Sequence, residues 1–164
     1  MSFSELILNV LTFIMFIILA WFSFMTANIA VTIFRQKKRD KSMKFCFNRG
    51  GGIFFIIFTI IFVVGYIGGF IAMIISFNTD NLIMLRIAIN LLALLTFLYS
   101  LAISNVILLG SKEMMIGRML IDYRKMKKIS YGLNGKVTFI YSQKEYTFTT
   151  QFTDLQEIRR TLKK

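Results

Sequence analysis

Side chains able to do bond-making chemistry are scarce in this chain. It has no histidine, one cysteine and eight acids among 164 residues. No two of those acids stand at a spacing suited to acid–base work or metal binding, so neither catalysis, a metal nor a cofactor is expected. Arg49-Gly50-Gly51-Gly52 lacks the Gly-Lys-Ser/Thr ending of a phosphate loop and reads as a flexible joint. Cys46 is either inert or a target for reversible lipidation beside a membrane. What remains is ionic: twenty Lys and Arg give a net charge of +12. Arg35, Lys37, Lys38, Arg39, Lys41, Lys44 and Arg49 form one cluster, and Arg124, Lys125, Lys127 and Lys128 another. Clusters of this kind suit an anionic lipid surface, where each cation is worth about 1 kcal/mol, or a protein partner; equally, they serve to fix topology and solvate a face. No helix-turn-helix pattern accompanies them, and a nucleic-acid partner is not expected.

The elements that must hold these cations are dominated by apolar blocks. The chain is 56% apolar, with 18 Phe and a mean hydropathy of +0.66. Three blocks, at about 6–34, 53–77 and 82–109, are each long enough to span a bilayer as a helix. The first has no basic n-region or cleavage site, so it is expected to be retained. Ser76 to Asn81 reads as a polar turn making the second and third spans antiparallel neighbours. Nineteen of the twenty cations lie in the 35–52 loop or after Leu109, leaving only Arg86 elsewhere. Positively charged flanks resist translocation, which predicts the N-terminus outside and the C-terminus in the cytoplasm. The residues divide into a transmembrane domain over 1–110 and a cytoplasmic module over 111–164.

Within the blocks, Asn9, Thr12, Ser23, Thr26, Asn28 and Thr32, and later Asn90, Thr96, Ser100, Ser104 and Asn105, are either interhelical glue or transport groups. No acid lies in mid-span for an ion pathway. Arg86 is near enough to the outer interface to snorkel, with Asp80 as a partner. Gly65/Gly69 and Gly68/Ala72 stand four apart and share a helix face, suited to close packing within the bundle or against a second copy or partner membrane protein.

After Gly110 the pattern alternates. Met119, Ile121 and Tyr123, then Lys127, Ile129 and Tyr131, then Val137, Phe139 and Tyr141, then Tyr146 and Phe148, predict an antiparallel meander of three or four strands. Asn134-Gly135 and Ser142-Gln143-Lys144 supply the turns. Thr153 with Gln156 predicts a capping box, and Phe152, Leu155, Ile158 and Leu162 one apolar helical stripe, with Arg159, Arg160, Lys163 and Lys164 late, as the helix dipole prefers. The expected fold is thus three transmembrane helices with a small α+β module.

The run Gly117-Arg118-Met119-Leu120-Ile121-Asp122-Tyr123-Arg124-Lys125-Met126-Lys127-Lys128-Ile129, followed by a turn, two strands and Thr153-Asp154-Leu155-Gln156-Glu157-Ile158, resembles the C-terminal part of PH-like modules in small bacterial multi-span membrane proteins. The resemblance covers about the last fifty residues and the overall layout. It implies a PH-like module and a role in the cell envelope, and some relatives are implicated in resistance to membrane-active bacteriocins. Three functions are in view: a membrane-anchored module contacting anionic inner-leaflet lipid or a protein, alone or as a homo-oligomer; protection against membrane-active peptides; and a small subunit of a transporter or secretion complex. The abundance of Ile, Phe, Lys and Asn with no Pro fits an AT-rich bacterial genome.

Overall fold

With no Pro anywhere and its first Gly at position 50, the N-terminal apolar run has nothing to interrupt a helix. In the computed structural model, which describes residues 3–132, 135–150 and 152–162, it forms α1 (Phe3–Arg39). At about 1.5 Å per residue α1 is roughly 55 Å long. It stops where Asp40 turns the chain, its carboxylate accepting from the Ser42 N–H (2.8 Å) and hydroxyl (2.6 Å). α2 (Arg49–Asn78) and α3 (Leu82–Ser104) follow, and all three helices are long and apolar enough to cross a membrane. Ser76, Phe77 and Asn78 stay helical, so the turn expected from Ser76 is confined to 79–81. Asn81 caps α3 by accepting from the Met84 N–H at 3.1 Å.

The chain folds as two units, Met1–Asn28 with Ile56–Ala102, and Ile29–Phe55 with Ile103–Lys164. In the first, Met15, Ile18 and Leu19 of α1 pack with Leu92 and Ala93 of α3 and Tyr66 of α2. Phe22 meets Phe97 edge-on at 4.9 Å. Most of the remaining large apolar side chains of these helices are exposed, Phe24 at 66% and Val64 at 65% among them.

Among the described residues the second unit holds seven antiparallel strands in two sheets. One has the order β1 (Lys44–Phe45), β2 (Ile107–Leu109), β3 (Glu113–Ile116), β4 (Met119–Asp122); the other has β5 (Met126–Tyr131), β6 (Lys136–Tyr141), β7 (Lys144–Thr149). Both sheets and α4 (Leu155–Leu162) contribute to one core containing Cys46, Ile107, Leu109, Met114, Ile121, Phe139 and Ile158. The coarse expectation of apolar helices, an antiparallel sheet and a C-terminal helix is met, but the single meander is not what forms. A 3-10 turn at Tyr123–Lys125, capped by the Asp122 carboxylate on the Arg124 N–H (2.9 Å), redirects the chain and puts β4 and β5 in different sheets.

The third apolar block also divides: its helix ends at Ser104, and Ile107–Leu109 is a fully buried strand. A short apolar run reads the same in a span as in a strand buried on both faces, and here β-pairing on both sides decides. The loop 35–52 is likewise part of the sheet unit, since Lys44 and Phe45 pair with Leu109 and Leu108. A boundary at 110 therefore separates paired strands. Gly50, Gly51 and Gly52 form the first turn of α2 rather than a loose joint, with Asn48 as cap: its side-chain oxygen accepts from the Gly51 N–H at 2.5 Å. The α4 cap is Asp154, accepting from Gln156 (2.9 Å) and Glu157 (3.2 Å), while the Thr153 hydroxyl is buried without a hydrogen-bond partner among the described residues. Ser142 and Gln143 turn the β6–β7 hairpin with φ of 49° and 65°. Asn134 of the other expected turn, and Lys163 and Lys164, lie outside the described residues.

Candidate functional site

The cations singled out from the sequence all belong to the sheet unit and are all exposed, but they do not form one patch. Arg35, Lys37, Lys38 and Arg39 end α1. Arg39 pairs with Glu113 of β3, and Lys37 stands 4.5 Å over the Phe45 ring. Lys41 follows the helix and Lys44 opens β1. Arg124 and Lys125 sit in the 3-10 turn rather than in a strand. In β5 the register shifts between Lys127 and Ser130, and Lys128 has φ of 50°. This bulge turns both Lys127 and Lys128 outward while Met126, Ile129 and Tyr131 remain half-buried, so Lys127 does not share a face with Ile129.

Two of these residues, Lys44 and Arg124, meet at a groove of about 910 Å³, together with Lys112 of the β2–β3 connection and Arg160 of α4. Leu109, Leu162 and Tyr123 give the groove an apolar wall, and Glu157 is the acid on it. Its rim is fixed by local bonds. The Ser111 N–H donates to the Ser42 hydroxyl oxygen (3.0 Å), Ser42 in turn donates to Asp40, and the Tyr123 hydroxyl donates to the Gly110 carbonyl (3.1 Å). Gly110 is required there, because a Cβ would lie 2.8 Å from an Asp40 oxygen and 2.9 Å from the Glu113 carbonyl. Bonds from the Ser42 hydroxyl and N–H hold the Asp40 carboxyl below its ordinary value, and burial raises that of the Tyr123 phenol. Lys112, Arg160, Ser42 and Tyr123 escape a reading of the sequence, since segments far apart in the chain bring them together.

Cys46 is fully buried, its thiol donating to the Asp154 carbonyl at 3.5 Å. Burial pushes the thiol pKa up to about 12. It is a protonated core residue, closed to an acyl transferase. In the same unit Phe45 stacks on Phe47 (5.7 Å) and Phe47 on Phe55 (5.2 Å), and separately Phe54 stacks on Phe152 (5.1 Å, 8° between planes). Phe45, Phe54 and Phe152 remain exposed.

In the helical unit Gly65 and Gly69 face α3, where added Cβ atoms would meet Leu95 at 2.8 Å and Leu92 at 2.7 Å. Gly68 has nothing within 4 Å, and the Ala72 carbonyl accepts from the Ser76 hydroxyl at 2.6 Å. Arg86 bonds to Asn9 (2.7 Å) and not to Asp80. Ser23 with Tyr66 (3.3 Å) and Thr59 with Tyr99 (3.2 Å) tie the helices together. Near the α2–α3 turn an apolar cleft of about 340 Å³ is lined by Phe16, Met73, Ile74, Phe77, Leu85 and Ile89, with Asn78 at its edge. Comparison with family models, with curated proteins and with solved structures finds no match.

Proposed function

We propose that the chain is a non-enzymatic, multi-span protein of a bacterial cell membrane, its N-terminus outside, that holds a basic PH-like module against the anionic inner leaflet. The observation that carries this reading is the routing of the chain. α1 ends, α2 begins and α3 ends within the sheet unit, and every Lys and Arg except Arg86 belongs to segments of that unit. If the three helices cross the bilayer, the sheet unit and its cations share one face of it, and the positive-inside preference makes that face cytoplasmic.

Two further features support the reading. Phe54 lies at the start of the second apolar block and stacks on Phe152, so a bilayer that receives Phe54 also receives Phe152 at its interface and seats the module on the membrane surface. The arrangement of four strands, three strands and a closing helix also favours the PH-like resemblance. The first strand comes from before α2, so the α2–α3 hairpin is an insertion between β1 and β2, and a module made from 111–164 alone lacks both of these strands, half of the four-stranded sheet.

The test is labelling of introduced cysteines in intact cells with a membrane-impermeant maleimide. Cys46 is buried and gives no background. D80C is expected to label directly and K144C only after permeabilisation. Labelling of K144C in intact cells, or recovery of the chain in the aqueous fraction without detergent, overturns the proposal.

A further inference from the structure

We propose that the groove lined by Lys44, Lys112, Arg124 and Arg160 is a binding site for a phosphate-bearing headgroup. Topology alone asks only that cations lie on the cytoplasmic side; it gives no reason for four of them, from four separate segments, to converge on one concavity. Among the described residues none of the four forms an ion pair, the chain's bridge being Arg39 with Glu113. Glu157 lies on the wall and the Asp40 carboxylate at the rim, so the groove carries a net charge of +2, four cations less two acids. A compact dianion relieves that repulsion. The two Arg forks suit phosphate oxygens bidentately and the two Lys act as point charges.

The shape fits the same ligand. About 910 Å³ accommodates a headgroup rather than a bare ion, and Leu109 and Leu162 offer an apolar wall to its organic part. The rim is braced by bonds of Ser42, Ser111 and Tyr123 to other protein groups, so little ordering is left to binding. The inference rests on the membrane reading only in naming lipid as one source of the phosphate; a soluble phosphate ester has the same chemistry.

The experiment uses the full chain in neutral detergent micelles with a fluorescent phosphatidate as probe, read by anisotropy, and phosphatidylcholine as the neutral reference. K112Q/R160Q and, as a second pair, K44Q/R124Q are expected to weaken phosphatidate binding at least tenfold. K136Q/K144Q, with the same charge change on β6 and β7, is expected to weaken it less than threefold. E157Q is expected to tighten it about threefold, a gain that misfolding does not produce, and an unreactive Cys46 certifies each fold. Displacement by millimolar glycerol 3-phosphate assigns the headgroup alone as sufficient, and phosphatidate binding without displacement assigns the lipid; both support the site. Equal weakening by all three double variants overturns the groove and leaves a diffuse basic surface standing. Phosphatidate bound no better than phosphatidylcholine overturns the groove and the anionic-surface reading together.

Discussion

Replacing Gly51 with Ala tests whether the 35–52 segment is built into the sheet unit or merely tethered to it. A Cβ at Gly51 would lie 2.2 Å from the Phe152 carbonyl oxygen and 2.9 Å from its carbon, where ordinary contact begins near 3.4 Å. The obstacle is backbone, so no rotamer change relieves it. The same carbonyl accepts the Asn48 N–H at 3.1 Å, and the separation that a methyl group demands stretches that bond. Overpacking costs about 1–3 kcal/mol, and a weakened buried hydrogen bond about 1 kcal/mol, so G51A is expected to destabilise the sheet unit by roughly 2–4 kcal/mol. Gly50, one position earlier, has only Asn48 Oδ1 near it, at 3.9 Å. G50A therefore stabilises, by up to about 1 kcal/mol, through helix propensity. The buried Cys46 thiol is the reporter: its labelling rate in detergent micelles follows the population of the open sheet unit. At tenfold per 1.4 kcal/mol, G51A is expected to accelerate labelling about thirty- to a thousandfold, and G50A to slow it up to about fivefold. Indistinguishable rates for the two variants would refute the docking of α2 on Phe152.

Other outcomes follow from the same geometry. Ser142 and Gln143 both hold positive φ at a cost of roughly 1 kcal/mol each, so S142N/Q143G is expected to raise the stability of the sheet unit by about 1–2 kcal/mol, read as slower Cys46 labelling. In the helical unit G69A is expected to cost about 1–3 kcal/mol, because the atoms it meets belong to the buried Leu92 side chain, while G68A is neutral or stabilising; resistance to unfolding in mixed detergent micelles separates them. The pKa of Cys46 is raised by folding from 9.0 to about 12. Its contribution to stability is thus complete below pH 9 and is lost as the pH rises through that window, because the unfolded chain ionises first. The buried Tyr123 phenol, also raised, acts in the same direction from about pH 10 upward. Alkaline unfolding by circular dichroism is expected to start near pH 9 and to be shallower in C46A, whose pH slope, rather than its absolute stability, is the test. D154A removes the α4 cap and is expected to cost about 1 kcal/mol, while T153A, with no cap bond to lose, costs less; both are read from Cys46 labelling.

The sequence by itself determined the features that depend on local pattern. Continuous apolar blocks named the three long helices, period-two alternation located β4, β6 and β7, and the Ile158 and Leu162 stripe marked α4, because each signal repeats within its own segment. Tertiary structure decided what depends on a distant partner. Two residues, Lys44 and Phe45, have no periodicity and become a strand only because β2 offers an edge. Ile107–Leu109 reads as the end of a span until strands on both sides claim it. Gly50 to Gly52 look like a hinge to any local rule and become a helix start because Asn48 caps them and the backbone of Phe152 requires a glycine at 51. The groove is the extreme case: Lys44, Lys112, Arg124 and Arg160 are separated by up to 116 positions, and only packing β1 and the later strands with α4 around one core converts ordinary surface cations into a single concave site.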